Sequence, residues 1–277
     1  MELGKFNLLT ILRASEPGLY LVDDNDDEVL LPNAYVTEEM KIVDELDVFL
    51  YKDSDDRPVA TTLTPFVQLE EFAFLKVKEV NRFGAFLDWG LPKDLLVPFA
   101  EQLIKMEEGK SYLIFLIVDE ESQRLIGSAK VNEFVYTDKI ELKPGEKVDL
   151  LLYKMTDLGM HAIVNNNYHG LIFHSDLHKK IYPGDRISAY VKQVREDGKI
   201  DLSLNPIGFT NSIDKFSQII IDALNENSGF MNLTDKTSPE IIKEMLGMSK
   251  KAFKNAIGNL YKQKLIELSD EGIKLKK

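Results

Sequence analysis

The chain of 277 residues contains no cysteine. Disulfides and thiolate-ligated zinc are therefore excluded, and an intracellular, reducing compartment is the natural setting. Histidine is nearly as scarce, with four residues. His174 and His178 stand four apart, the spacing of a zinc pair on one helix face, yet no acidic residue or third histidine completes a site. Surface histidines are expected there, with no metal and no cofactor. No run approaches the roughly 20 apolar residues that cross a bilayer, and no basic segment followed by an apolar one opens the chain. The expectation is a soluble, cytoplasmic protein with no membrane partner.

Catalytic signatures are missing too. No phosphate-cradling glycine loop ending in Lys-Ser or Lys-Thr occurs, and no nucleophile elbow. Nothing sets an acid beside a base, so no catalytic residue is expected and the protein is read as a non-enzyme. The acidic run Asp23-Asp24-Asn25-Asp26-Asp27-Glu28 lacks the glycine a calcium loop needs for its turn, which leaves a solvated hairpin turn.

Positive charge is in short supply overall. The formal net charge is −12, which argues against a general polyanion binder, because affinity for nucleic acid comes largely from neutralised phosphates. The deficit is uneven. Residues 1–66 hold 5 basic and 15 acidic side chains, 67–138 hold 8 and 13, 139–211 hold 10 and 9, and 212–277 hold 11 and 9. Phosphate contact is expected in the C-terminal half, and little of it in residues 1–66.

What the sequence does contain is best read from Lys76 to Trp89, where short alternating runs flank a polar turn and Gly84. That pattern is a tight β-hairpin. Phe83 and Phe86 bracket its glycine beside Arg82. Aromatic rings on a strand next to cations can stack bases while the cations hold phosphate, although rings on a half-buried strand more often belong to a core. Leu95–Val97, a helix-like stretch Ala100–Glu108 and strands Tyr112–Val118 and Arg124–Ala129 follow, the element order of an OB-type barrel.

The same order recurs twice. Residues 1–66 give strands near Phe6–Leu12, Gly18–Val22, Val29–Leu31, Asp47–Tyr51 and Pro58–Thr62, with a short helical stretch at Thr37–Ile42. Residues 139–208 give Lys147–Met155, Gly159–Val164, Gly170–Phe173, Arg186–Val194 and Lys199–Leu204. Gly18, Gly84 and Gly159 occupy equivalent hairpin positions, so an internal repeat of one small barrel is more economical than one large β domain.

After Asn205-Pro206-Ile207-Gly208 the spacing of apolar residues becomes helical: Ile213, Phe216, Ile220, Leu224. Ser238-Pro239-Glu240 starts a second helix with an N-cap and a proline at its first position, carrying Ile241, Ile242, Met245 and Leu246. Ser249 caps a third after Gly247, with Phe253, Ile257, Leu260 and Tyr261 inward and Lys250, Lys251, Lys254 and Lys262 outward. A strand, a turn and a strand end the pattern at Leu275. Residues 209–277 thus read as a winged helix-turn-helix. The fold class is mainly β with a C-terminal α+β domain: three tandem OB-fold, five-stranded barrels at 1–66, 67–138 and 139–208, then the winged helix.

The middle copy, with Val77-x-x-Val80-x-x-Phe83-Gly84-Ala85-Phe86-Leu87, Leu95-Leu96-Val97, Asp119 and Arg124-Leu125, resembles the RNA-binding repeat of ribosomal protein S-one. The resemblance implies an RNA face of Phe83, Phe86, Asp119 and Arg124, with Pro98 and Phe99 where that family has a histidine, and with Lys76 and Arg82 alongside. The third copy is similar but degraded. His161 stands in the aromatic segment, Phe173 and His174 lie near the histidine position, and Lys199 replaces the arginine, with Lys192 and Arg195 as further cations. The first copy keeps Tyr20 and Arg57 in an acidic setting and is read as structural. Three such barrels followed by a winged helix resemble the conserved virulence factor B (CvfB) family of bacterial RNA-binding proteins. That resemblance implies single-stranded RNA as partner and a role in gene regulation. The alternatives are a transcription regulator that reads duplex DNA with the winged helix, its lysines on the recognition helix, and a protein-interaction scaffold.

Overall fold

Strands form in the first repeat where apolar side chains recur at every second position between polar turns. β1 (Phe6–Ser15) buries Leu9 and Ile11, and is followed by β2 (Gly18–Val22), β3 (Glu28–Pro32), β4 (Glu45–Lys52) and β5 (Pro58–Thr61). They close into a barrel in the order β1-β2-β3-β5-β4, the last closure being a parallel pairing of Leu30 with Val59. The structure, a computed structural model, describes residues 1–177, 179–206, 215–227, 229–262 and 264–276. His178, Ile213 and the Ile207-Gly208 pair, all used in the sequence reading, lie outside the described residues.

The second repeat supplies β6 (Phe72–Val80), β7 (Gly84–Asp88), β8 (Leu95–Pro98), β9 (Ser111–Val118) and β10 (Leu125–Ser128), and the third β11 (Lys147–Thr156), β12 (Gly159–Val164), β13 (Tyr168–Phe173), β14 (Arg186–Val194) and β15 (Ile200–Ser203). The third is a closed barrel like the first. In the middle copy the strands keep the same neighbours, β10-β9-β6-β7-β8, but the seam between β8 and β10 is made by side chains instead of a ladder. A Cβ on Gly127 of β10 would lie 2.9 Å from Val97 Cγ2 and 3.4 Å from Leu95 Cδ2, both on β8.

Two details confirm one unit repeated. The long first strand of each copy carries a bulge at the same place, between Ile11 and Arg13, Val77 and Glu79, and Leu152 and Lys154. Bulges of this kind bend a strand enough for it to serve two sides of a small barrel. The equivalent glycines Gly18, Gly84 and Gly159 have φ of 152°, 154° and 146°, and a Cβ there would fall 2.0 to 2.2 Å from the carbonyl oxygen of Leu31, Val97 or Ile172. The neighbouring strand passes too close for any side chain.

The helical stretches expected within the first two copies are absent. Three-residue 3₁₀ turns, Asn33–Tyr35, Phe99–Glu101 and His174–Asp176, take their place in the three copies. Between Ala100 and Glu108 only Met106 is buried while Leu103 and Ile104 face solvent, so no apolar stripe exists to dock a helix.

The chain divides into two compact units, Met1–Leu204 and Asn205–Lys277. Within the first, the barrels are fused. Phe49, Tyr51 and Val59 of the first barrel share a core with Trp89, Leu91 and Leu95 of the second, the Trp89 ring lying edge-on to Phe49 at 5.9 Å and to Tyr51 at 6.5 Å. Phe72 and Phe115 join Leu151 and Ile163 in a second shared core. There Asn166 Oδ1 accepts the Phe72 N–H at 2.8 Å, and its amide donates to the Glu70 carbonyl at 2.8 Å.

The second unit comprises α1 (Lys215–Glu226), β16 (Phe230–Met231), α2 (Pro239–Leu246), α3 (Lys250–Lys262), β17 (Ile266–Leu268) and β18 (Ile273–Leu275), with a sheet in the order β16-β18-β17. Ser238 caps α2 by accepting the Ile241 N–H, Gly247 ends it in the left-handed region, and the Ser249 hydroxyl accepts the Ala252 N–H at 3.2 Å. Tyr261, expected inward, is exposed, and so are Phe216, Ile241 and Met245 among the apolar residues at helical spacing. A helix as short as α2 buries one stripe, Ile242 and Leu246, and Ile241 and Met245 fall beside it.

Candidate nucleic-acid interface

The turn between β6 and β7 presents the first aromatic ring. Asn81 closes it, its N–H donating to the Gly84 carbonyl at 3.0 Å while its side-chain oxygen accepts the Phe83 N–H at 3.0 Å. Phe83 projects outward, 57% exposed, with the Arg82 guanidinium 4.7 Å above its ring. Phe86 alternates with the buried Ala85 and Leu87 on β7 and is half-buried, so neither ring belongs to the core. Both line a cleft of about 470 Å³ with Asn81, Trp89, Lys93, Leu96 and Arg124. The first barrel contributes Tyr51, Lys52, Ser54 and Asp56, and the middle copy adds Leu95, Leu125, Ile126 and the carboxylates of Glu79 and Asp94.

The first-barrel contribution was not legible as such. The turn Asp53-Ser54-Asp55-Asp56 joins β4 to β5, and Asp53 folds it by accepting the N–H groups of Asp55 and Arg57 at 2.9 and 3.0 Å. Lys93 of the middle copy then holds it, its ammonium donating to the carbonyls of Lys52 at 3.2 Å and Asp53 at 2.6 Å. Burial pushes the Lys93 ammonium below its usual range. Asp56 forms an ion pair with Arg124 across the barrels. The hydrogen bond from Arg124 holds the Asp56 carboxyl below the ordinary range. A unique tryptophan ending the hairpin and an acidic turn in the preceding copy were the signals available in the sequence.

The other residues expected on this face are spread around it. Lys76 is exposed on β6 opposite Asp88 in register. Phe99 is 44% exposed in its 3₁₀ turn, and Asp119 accepts the Ser122 N–H at 2.9 Å and hydroxyl at 2.5 Å, tying off the β9–β10 turn. None of the three lines the cleft.

In the third barrel His161 stands at the position of Phe86, 6.0 Å from the Tyr153 ring. Burial holds its imidazole below the usual value, with Lys154 and Lys199 adding repulsion. Phe173 has the Arg195 guanidinium 5.5 Å from its ring centre. That guanidinium is committed elsewhere, donating from Nε to the largely buried Asp201 at 2.7 Å. His174 is exposed and its Nε2 donates to the Thr156 carbonyl at 2.9 Å. Lys192 pairs with Asp176 at 3.0 Å and Lys199 with Asp197 at 2.9 Å.

On α3 of the second unit Lys254 lies 3.6 Å from Asp235, and the Lys250 ammonium reaches the Lys236 carbonyl at 3.5 Å. Among the described residues Lys251 and Lys262 have no carboxylate within 4.0 Å. Among the described residues, too, no helix is long and apolar enough to cross a membrane, and no three His, Asp or Glu side chains gather as a metal site.

Two segments match known families: residues 3–63 the S1 domain and residues 218–275 the CvfB-like winged helix domain. The S1 match falls on the first barrel, the copy with the poorest motif. Conserved virulence factor B of Staphylococcus epidermidis is 29% identical over 99% of this chain and 95% of its own length. The protein YitL of Bacillus subtilis is 29% identical over 88% of this chain and 84% of its own. A solved multidomain protein with nucleic acid binding domains from Streptococcus pneumoniae aligns at 26% identity over 99% of this chain and 98% of that one, with a TM-score of 0.45. With a match to the S1 domain at one end, a match to the CvfB-like winged helix domain at the other and 29% identity to conserved virulence factor B along nearly all of its length, the chain is similar to the CvfB proteins from end to end.

Proposed function

We propose that this chain is a non-enzymatic, cytoplasmic protein that binds single-stranded RNA through its fused barrels and acts in bacterial gene regulation. One observation carries the binding reading: Phe83 and Phe86, free of the core, line a single cleft with Arg124. Bases stack on such rings whatever their sequence, while a guanidinium engages the backbone phosphate. The regulatory role follows from the family resemblance. Binding of a short single-stranded RNA, the matching single-stranded DNA and duplex DNA, each at two salt concentrations, tests it. RNA is expected to bind most tightly, and the Phe83→Ala, Phe86→Ala double variant to lose roughly 1–3 kcal/mol per stack. Unchanged affinity in the folded double variant overturns the reading.

A second reading has one specific support. Helix α3 has no acid in its first turn and carries Lys251 and Lys262 without carboxylate partners among the described residues. A recognition helix of that kind suits a duplex groove. Duplex-only binding, lost on Lys251→Ala, would put the winged helix first. A complex that forms with protein and never with nucleic acid would make it a docking element.

A further inference from the structure

The middle barrel alone does not make the cleft. We propose that the first barrel is a working part of the RNA interface: its β4–β5 turn supplies one wall, and Asp56 occupies Arg124 in the place that a backbone phosphodiester takes when RNA binds. The inference rests on the RNA reading above and adds the residue that sets how readily Arg124 is given up.

The turn is built to stay where it is. The edge-on packing of Trp89 against Phe49 and Tyr51 fixes one barrel on the other. The Trp89 indole N–H donates to the Lys93 carbonyl, and the Lys93 side chain reaches across to two carbonyls of the turn. Its three carboxylates are then divided. Asp53 and Asp55 both pair with Arg57 of their own barrel, at 2.7 and 2.9 Å, whereas Asp56 reaches Arg124 of the next. Of the three, only Asp56 lines the cleft.

The chemistry of exchange follows. A guanidinium accepts carboxylate and phosphate oxygens through the same fork of N–H donors, so one anion substitutes for the other without rearranging the arginine. The Arg124 side chain is 50% exposed, so a phosphate can approach it, and that of Asp56 is 39% exposed, although its Oδ1 is buried without a hydrogen-bond partner. Exposed ion pairs are weak, which makes Asp56 a competitor that a strand displaces at modest cost. An acidic first barrel is then no contradiction to RNA binding. It lowers the resting affinity of one arginine and leaves the stacking rings free.

The test uses the full chain and an oligouridylate of about 10 nucleotides, within the span of one OB barrel. Asp56→Asn should bind about 2- to 5-fold more tightly, the worth of an exposed pair. Asparagine tolerates the φ of 63° at this position, so the turn is kept. Asp55→Asn removes the same charge from the same turn outside the cleft and should gain less. On an Arg124→Ala background Asp56→Asn should gain nothing. Equal gains from Asp55→Asn and Asp56→Asn would reduce the effect to the field of the barrel and overturn the inference. So would weaker binding by Asp56→Asn with an unchanged melting temperature, which would make Asp56 a support for Arg124. If the Phe83, Phe86 double variant binds as the parent does, the RNA reading fails at the rings. If that variant fails to bind and Asp56→Asn shows no gain, only the inference falls.

Discussion

The middle and third barrels share strand order, bulge and hairpin glycine, and yet their equivalent faces differ in what they leave available. In the middle barrel Phe83 and Phe86 stand clear of the core, and Arg124 is paired with a partly exposed carboxylate of the neighbouring barrel. In the third barrel Leu158 and His161 replace the rings, Lys199 stands at the position of Arg124 and pairs with Asp197 of its own turn, and Arg195, at the position of Asp119, is tied to Asp201, a largely buried carboxylate of its own strand pair. A barrel of this type fixes where a residue stands, and the partner that shares the position decides whether it can receive a ligand. One arginine is poised for exchange. The other holds its barrel together.

The largest expected effect tests the shared frame. Gly84→Ala places a Cβ about 2.2 Å from the Val97 carbonyl oxygen, in backbone that cannot retreat without breaking the β7–β8 ladder. A loss of about 3 kcal/mol is expected in chemical denaturation, and a similar loss for Gly159→Ala. Gly127→Ala meets the buried side chains of Val97 and Leu95 instead of a carbonyl and should cost less, about 1–2 kcal/mol. Tolerance of Gly84→Ala alone would show that the two hairpins are not equivalent.

Next in size is the contrast between the arginines. Arg195→Ala strands the carboxylate of Asp201, whose residue is 9% exposed, and should lower stability by roughly 1–3 kcal/mol. Arg124→Ala removes an exposed pair and should cost less than about 1 kcal/mol while weakening RNA binding. Thermal melts and RNA titrations on the two variants separate the roles. A reversal, with Arg195→Ala stable and deficient in RNA binding, would move the interface to the third barrel.

Much of this was legible in the sequence because short-range patterns carry it. Alternation placed all fifteen barrel strands, the glycine spacing gave the repeat, and Ser238-Pro239 and Ser249 marked two helix starts that the structure keeps. The stretch from Ala100 to Glu108 was misread as helical, since its apolar residues suggest a face that no partner element covers. The fused cores were not legible at all. Nothing local distinguishes a Phe49 that packs within its barrel from one that packs on Trp89 of the next. For the same reason Arg124 and Asp119 were named as one face, although Asp119 folds a turn and Arg124 answers to Asp56, a residue 68 positions away. Ion pairs between domains leave no periodic trace.

The smallest effect separates the two barrels by pH. All four histidines of the chain fall in residues 139–208, and the middle barrel has none. His169 Nε2–H donates to Asn132 Oδ1 at 2.9 Å, and Nδ1 lies 3.4 Å from the Tyr153 hydroxyl, which can donate to the neutral ring. Burial holds both His169 and His161 below the ordinary value of 6.5, and burial raises the Tyr153 phenol to about 12. The sign follows from proton counting. Between the lowered folded value and 6.5 the unfolded chain binds more protons than the folded one, so stability rises with pH there and falls as the pH drops below about 6.5. The melting temperature of the unit Met1–Leu204, followed in the full chain, should therefore drop by about 2 °C or more between about pH 7.5 and pH 5.5. His169→Gln keeps a donor for Asn132 and an acceptor for Tyr153 without a titrating ring, and should flatten the profile. The lining of the middle-barrel cleft holds no histidine, so Phe83→Ala should leave the profile's shape unchanged. An equally steep profile in the His161→Gln, His169→Gln double variant would assign the pH dependence to other groups and remove this distinction between the barrels.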